Sequence, residues 1–123
     1  MEAQNAGKAR SIGVSNFGIH HLEELEEYIQ NGGGGRIEVG QYELHPWLGR
    51  AELVDWLQNR GAIIEAYSPL ARGTRMDEPV LRKLSMKHQK NPAQILIRWS
   101  IQKVSKPCPD FNLKAGFLTI IFM

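Results

Sequence analysis

The chain has very little cysteine and no long apolar run. Cys108 is the single cysteine among 123 residues, so no internal disulfide can form, and a reducing, cytoplasmic setting is expected. The longest apolar cluster, residues 117–123, falls well short of the ~20 residues that a membrane-spanning helix needs. The first ten residues are polar, unlike the apolar core of a signal peptide. We therefore expect no membrane partner.

Charge is also nearly balanced. Fifteen basic and 13 acidic residues give a formal net charge of +2, and no block of basic residues stands out. Proteins dedicated to nucleic acids carry a basic stripe or patch, which this sequence lacks. Four glutamates on the first predicted helix (Glu23, Glu24, Glu26 and Glu27) are interpreted as a solvated face and not as a metal site. We expect no nucleic-acid partner and no metal.

Apolar periodicity predicts strands that alternate with helices. Strands are predicted over residues 11–14, 36–42 and 62–67. Helices are predicted after Asn16 as an N-cap, over 50–59, from about Asp77, and from Asn91. This order predicts an α/β fold with about three parallel strands and flanking helices. Because a complete (β/α)8 TIM barrel needs about 250 residues, the chain corresponds to a partial barrel.

Polar residues follow each predicted strand at its carboxyl end. Asn and Gln side chains both donate and accept, as a carboxamide such as that of nicotinamide requires, while a tyrosine face can stack on a flat heterocycle. A hydroxyl and a backbone N–H beyond the third strand could reach a pyrophosphate. The candidate cofactor-binding residues are Ser15, Asn16, Gln41, Tyr67, Ser68 and Leu70. Each alone has a common structural role, as a cap, a rim residue or a paired polar group. Their occurrence at three consecutive strand ends favours a site.

Four segments resemble the aldo-keto reductase family. Residues 7–17 (Gly-Lys-Ala-Arg-Ser-Ile-Gly-Val-Ser-Asn-Phe) are similar to the entry into its fifth strand, and residues 41–46 (Gln-Tyr-Glu-Leu-His-Pro) to its sixth. Residues 66–73 (Ala-Tyr-Ser-Pro-Leu-Ala-Arg-Gly) are similar to its seventh strand, and residues 91–99 to the helix before the eighth. The resemblance covers about residues 7–103 and implies the C-terminal half of a TIM barrel.

The resemblance implies an NADPH-dependent reduction of aldehydes or ketones to alcohols. It implies that Ser15, Asn16 and Gln41 hold the nicotinamide carboxamide, that Tyr67 stacks on the ring, and that Ser68 and Leu70 lie near the pyrophosphate. The family's catalytic Asp, Tyr, Lys and His belong to its first four strands, so we expect no catalytic residue in this chain and no activity of the chain alone. Its 2′-phosphate-binding segment follows the eighth strand. The choice between NADPH and NADH, and the identity of the carbonyl substrate, therefore stay open.

Two residues near the candidate site are not assigned a catalytic role. His45, followed by Pro46, is expected to be structural. Tyr42 alternates with Gln41 along its strand and is expected to face the helices.

The pattern stops after Lys103. We divide the chain into a partial aldo-keto reductase barrel, residues 1–103, and a non-family tail, residues 104–123, which is expected to be disordered. Codons for Val104-Ser105 can match the usual first nucleotides of an intron. This match motivates the hypothesis that residues 104–123 come from a retained intron or a faulty gene model. Open sheet edges predict self-association. A non-catalytic half-barrel that binds nucleotide or self-associates is the alternative function.

Overall fold

A computed structural model describes residues 2–104. The tail predicted to be disordered therefore lies, beyond Val104, outside the described residues. The centre of the structure is a three-stranded sheet formed by β1 (Gly13–Ser15), β2 (Val39–Glu43) and β3 (Ile63–Tyr67). The strands lie side by side in the order β1-β2-β3, and both pairs are parallel. The predicted α/β class and three parallel strands are confirmed.

Five helices are found among the described residues. α1 (Glu2–Asn5) precedes the sheet, α2 (Ile19–Tyr28) connects β1 to β2, and α3 (Ala51–Asn59) connects β2 to β3. α4 (Pro79–His88) and α5 (Pro92–Val104) follow β3. Irregular turns occupy Ile29–Gly33 and Ala71–Gly73. Apart from the short α1, this is the order that the sequence predicts.

The core lies between one face of the sheet and the helices. Tyr42 of β2, Leu22 of α2 and Leu57 of α3 are each no more than 1% exposed and belong to one cluster of buried residues. Gly40 gives these side chains room, because a Cβ there would lie 2.8 Å from Leu57 Cδ1 and 2.9 Å from Tyr42 Cε2. The prediction that Tyr42 faces the helices is confirmed, and the intervening Gln41 is exposed on the other face.

The first strand starts later than predicted. Before Gly13, the Ile12 N–H donates to the Glu38 carboxylate (3.1 Å), while the Ile12 carbonyl accepts from the Glu38 N–H (3.1 Å). The N-cap prediction at Asn16 is wrong, because α2 begins at Ile19 and Gly18 occupies its N-cap position. Two large apolar-type side chains on the helices are exposed: Tyr28 of α2 at 65% and Val80 of α4 at 72%.

The predicted start of the last helix is confirmed. Asn91 Oδ1 accepts from the Gln94 N–H (2.9 Å), and Gln94 Oε1 accepts from the Asn91 N–H (3.0 Å). This reciprocal pair satisfies backbone groups that a helix N-terminus leaves free. α5 is thereby started at Pro92, as the sequence indicates.

Candidate functional site

The carboxyl ends of the three strands meet at one edge of the sheet. The strand register places Ser15 opposite Gln41, Gln41 opposite Glu65, and Glu43 opposite Tyr67. Because side chains alternate along a strand, these positions share the face that lies opposite the helices. In a closed (β/α)8 barrel that face is the interior, and ligands bind at the carboxyl ends of its strands.

Hydrogen bonds join the four candidate residues that are expected to contact the nicotinamide. Ser15 Oγ donates to the Gln41 carbonyl (3.0 Å), and the Asn16 N–H donates to the same oxygen (3.2 Å). The Tyr67 hydroxyl donates to Asn16 Oδ1 (3.1 Å), which spans the sheet from β3 to the exit of β1. The structure therefore brings Ser15, Asn16, Gln41 and Tyr67 into one cluster.

Asn16 has the left-handed backbone that its position requires. Its φ of 60° turns the chain away from β1 three residues before α2 begins. Asparagine tolerates this region better than other residues that bear a side chain. The turn directs the Asn16 amide toward Tyr67 and away from the helix, which explains why the residue is not a cap.

Ser68 and Leu70 lie on the turn that follows β3. Ser68 also has a left-handed backbone, with φ 49°, and its carbonyl accepts from the Ala71 N–H (2.9 Å). The Leu70 carbonyl accepts from the Gly73 N–H (2.9 Å). Within residues 2–104, neither the Ser68 N–H nor the Leu70 N–H donates a backbone hydrogen bond outside the regular elements. Ser68 directly follows Tyr67, and among the described residues no hydrogen bond joins Ser68 or Leu70 to the four-residue cluster.

The remaining hydrogen-bonding capacity of the cluster fits a planar ring that carries a carboxamide. The Asn16 amide nitrogen and the Gln41 amide oxygen have no partner among the described residues. Together they offer one donor group and one acceptor, which complement the C=O and NH2 of a carboxamide. The Tyr67 ring is partly exposed beside them. The residues present therefore suit the nicotinamide end of a dinucleotide.

Glu65 contacts the candidate cluster, although it is not among the residues that the sequence suggests. Its carboxylate accepts from Gln41 Nε2 (3.0 Å), and its side chain is exposed on the same face. The signal was present in the sequence, since Glu65 lies two residues before Tyr67 and strand alternation places both on one face.

Other titratable groups do not extend the site. His45 Nε2 lies 3.5 Å from the Glu43 carboxylate, in a side chain that is 11% exposed. Burial raises the pKa of Tyr42, an effect opposed by the positive charge of Arg50. In the described part of the chain, no three His, Cys, Asp or Glu side chains converge closely enough to hold a metal ion. No helix between residues 2 and 104 is long and apolar enough to cross a membrane.

Comparison with known proteins identifies the family. The model of the aldo/keto reductase family matches residues 1–117. An uncharacterized oxidoreductase of Saccharomyces cerevisiae is 40% identical over 109 residues, which are 89% of this chain and 38% of that protein. The glyoxal reductase of Bacillus subtilis is 44% identical over 96 residues, or 78% of this chain and 33% of that enzyme. The chain belongs to the aldo/keto reductase family.

Solved structures agree with this assignment. A Gox0644 variant crystallised with NADPH superposes with a TM-score of 0.72 at 34% identity, over 82% of this chain and 36% of that one. The Bombyx mori aldo-keto reductase in complex with NADP gives a TM-score of 0.70 at 34% identity, over 83% and 35%. The three-stranded sheet is therefore part of a TIM-barrel fold. The chain spans about a third of the length of these relatives, and the predicted domain boundary at residue 103 stays a prediction.

Proposed function

We propose that residues 1–103 form the nicotinamide-binding part of an NADP(H)-dependent oxidoreductase that reduces aldehydes or ketones to alcohols. The observation that carries this proposal is the hydrogen-bonded cluster of Ser15, Asn16, Gln41 and Tyr67 at the carboxyl edge of the sheet. Support comes from the relatives solved with NADPH and NADP. The substrate in the whole enzyme is a small carbonyl compound, and the single cysteine of this 123-residue chain fits a cytoplasmic setting.

We also propose that the 123-residue chain does not catalyse the reduction by itself. Carbonyl reduction needs a positioned acid that protonates the nascent alkoxide. The phenol at this edge, Tyr67, directs its proton to Asn16 Oδ1, and among residues 2–104 we find no second phenol at the edge. The catalytic group is expected from strands that correspond to the first half of the barrel.

Two measurements on the purified chain test this function. NADPH titrated against tryptophan fluorescence should bind, and Gln41→Ala should weaken binding about three- to tenfold, as one lost hydrogen bond predicts. Glu24→Gln, an exposed change on α2, is the matched control and should leave binding unchanged. NADPH consumption with glyoxal as the probe carbonyl should not exceed the blank. Steady turnover by the pure chain would overturn the inactivity, and absence of binding would overturn the cofactor role.

A non-catalytic, self-associating half-barrel is the second candidate. β1 and β3 each pair with one neighbour only among the described strands, so both sheet edges are open. Ile63 is 56% exposed on the face opposite the helices. A largely apolar groove of about 950 Å³ also lies along α4 and α5, with Trp47, Leu81 and Trp99 in its lining. Such surfaces favour association between copies.

Gel filtration separates the two candidates. A discrete dimer that retains NADPH binding and shows no turnover favours the self-associating module. A soluble monomer with a sharp cooperative melt would contradict self-association.

A further inference from the structure

Glu65 lies beside Gln41 in the candidate site. The strand register pairs it with Gln41, and its Oε2 accepts from Gln41 Nε2 at 3.0 Å. It also shares a face of β3 with Tyr67, two residues further along. A ring held between Gln41 and Tyr67 is therefore a neighbour of this carboxylate.

The hydrogen bond decides which way the Gln41 amide points. A carboxylate only accepts, so it pairs with the NH2 group of Gln41 and leaves the amide oxygen free. Without that partner, the amide can rotate by half a turn and present its NH2 group instead. A ligand carboxamide that donates to Gln41 needs the orientation that Glu65 selects.

The carboxylate also brings negative charge to this face. The neighbouring carboxylate, Glu43, lies 3.5 Å from His45 Nε2, whereas the partner of Glu65 is a neutral amide. An oxidised nicotinamide ring carries a positive charge, and a reduced ring is neutral. A carboxylate beside the ring therefore attracts the oxidised form alone.

We propose that Glu65 is a positioning residue that fixes the Gln41 amide and gives the site a preference for oxidised NADP+ over NADPH. This inference rests on the proposed cofactor function. It assigns to Glu65 a selectivity between two redox states, which a residue that only supports the fold would not have.

Two variants of the full chain separate the positioning of the Gln41 amide from the effect of the Glu65 charge. Glu65→Gln keeps an acceptor for Gln41 but removes the charge, and Glu65→Val removes both. NADP+ and NADPH are titrated separately and followed by amide NMR. Glu65→Gln should weaken NADP+ binding about fivefold, the ratio expected for one charge pair about 4 Å apart in water, and leave NADPH binding unchanged. Glu65→Val should weaken both, and the control Glu24→Gln neither.

An unchanged ratio of NADP+ to NADPH affinity in Glu65→Gln would overturn the selectivity. The positioning is read independently in the free chain, from the two side-chain amide protons of Gln41. The resonances of these two protons should move in Glu65→Val, and unchanged resonances would overturn the proposed positioning of Gln41. If the unaltered chain binds neither cofactor, the proposed function and the selectivity both fail, while the Gln41 resonances still decide the positioning.

Discussion

Replacing Arg60 tests how α2 and α3 are held together outside the core. Arg60 follows the last residue of α3, and its guanidinium reaches Glu26 of α2 through two bonds of 2.8 Å and 3.0 Å. The same group lies 3.6 Å from the centre of the Trp56 ring. One side chain thus combines a bidentate ion pair with a cation–π contact.

The structure limits the size of the effect. The two charged side chains are 38% and 32% exposed, so the ion pair is screened and contributes only about 0.2–1 kcal/mol. A contact with an aromatic face adds about 0.5–1 kcal/mol at an exposed site. Arg60→Ala should therefore lower the free energy of unfolding by about 1 kcal/mol. Arg60→Lys should recover part of it, because lysine keeps the charge and loses the planar fork.

The contribution depends on pH through Glu26. Its hydrogen bonds with Arg60 lower the pKa of Glu26 below the ordinary value of 4.5. A lowered pKa in the folded state means that the stabilisation is complete above that ordinary value and is lost as pH falls through the folded value. The Arg60→Ala defect in urea unfolding should be present at about pH 7 and shrink at about pH 3.

Arg82→Ala is the matched control. Arg82 lies 2.6 Å from Asp77, but the two side chains are 63% and 89% exposed, and its loss should cost less than about 0.5 kcal/mol. Equal defects in Arg60→Ala and Arg82→Ala, or an Arg60→Ala defect that does not change with pH, would refute the reasoning.

Three core substitutions give contrasting expectations, each measured by urea unfolding followed by circular dichroism. Tyr42→Phe should leave the free energy of unfolding unchanged or raise it by up to about 1 kcal/mol, because the buried Tyr42 hydroxyl has no hydrogen-bond partner among residues 2–104. A clear loss of stability would mean that this hydroxyl is hydrogen-bonded. Gly40→Ala should lower stability by about 1–3 kcal/mol, since the added methyl would meet Tyr42 and Leu57, and an unaltered midpoint would contradict this packing. Leu57→Ala, at a side chain 1% exposed, should cost about 2–5 kcal/mol, and a loss below about 1 kcal/mol would exclude it from the core.

The sequence predicted the sheet well because its strands carry clear signals. Tyr42 and Gln41 alternate between a buried and an exposed face, and the Asn91 and Pro92 pair marks the start of α5. The predicted strand and helix boundaries were less accurate where tertiary contacts decide them. β1 begins at Gly13, two residues later than predicted, and the preceding Ile12 bonds through both its N–H and its carbonyl to Glu38, which is distant in sequence.

The sequence names the residues of the candidate site but not the contacts between them. Ser15, Asn16, Gln41 and Tyr67 were named from their places at strand ends, and the structure joins them. The N-cap prediction for Asn16 was wrong, because its bond to Tyr67 arises only when β1 and β3 are placed in one sheet. Strand alternation already places Glu65 on the face of Tyr67, but its hydrogen bond to Gln41 arises only when β2 and β3 pair.

Amide NMR of the pure chain titrated with NADPH tests the central claim most directly. The account predicts chemical-shift changes concentrated at Ser15, Asn16, Gln41 and Tyr67, extending to Ser68 and Leu70, with the buried helix residue Leu22 unaffected. Changes confined to the groove along α4 and α5, or no changes at all, would contradict a nicotinamide site at the carboxyl edge of this sheet.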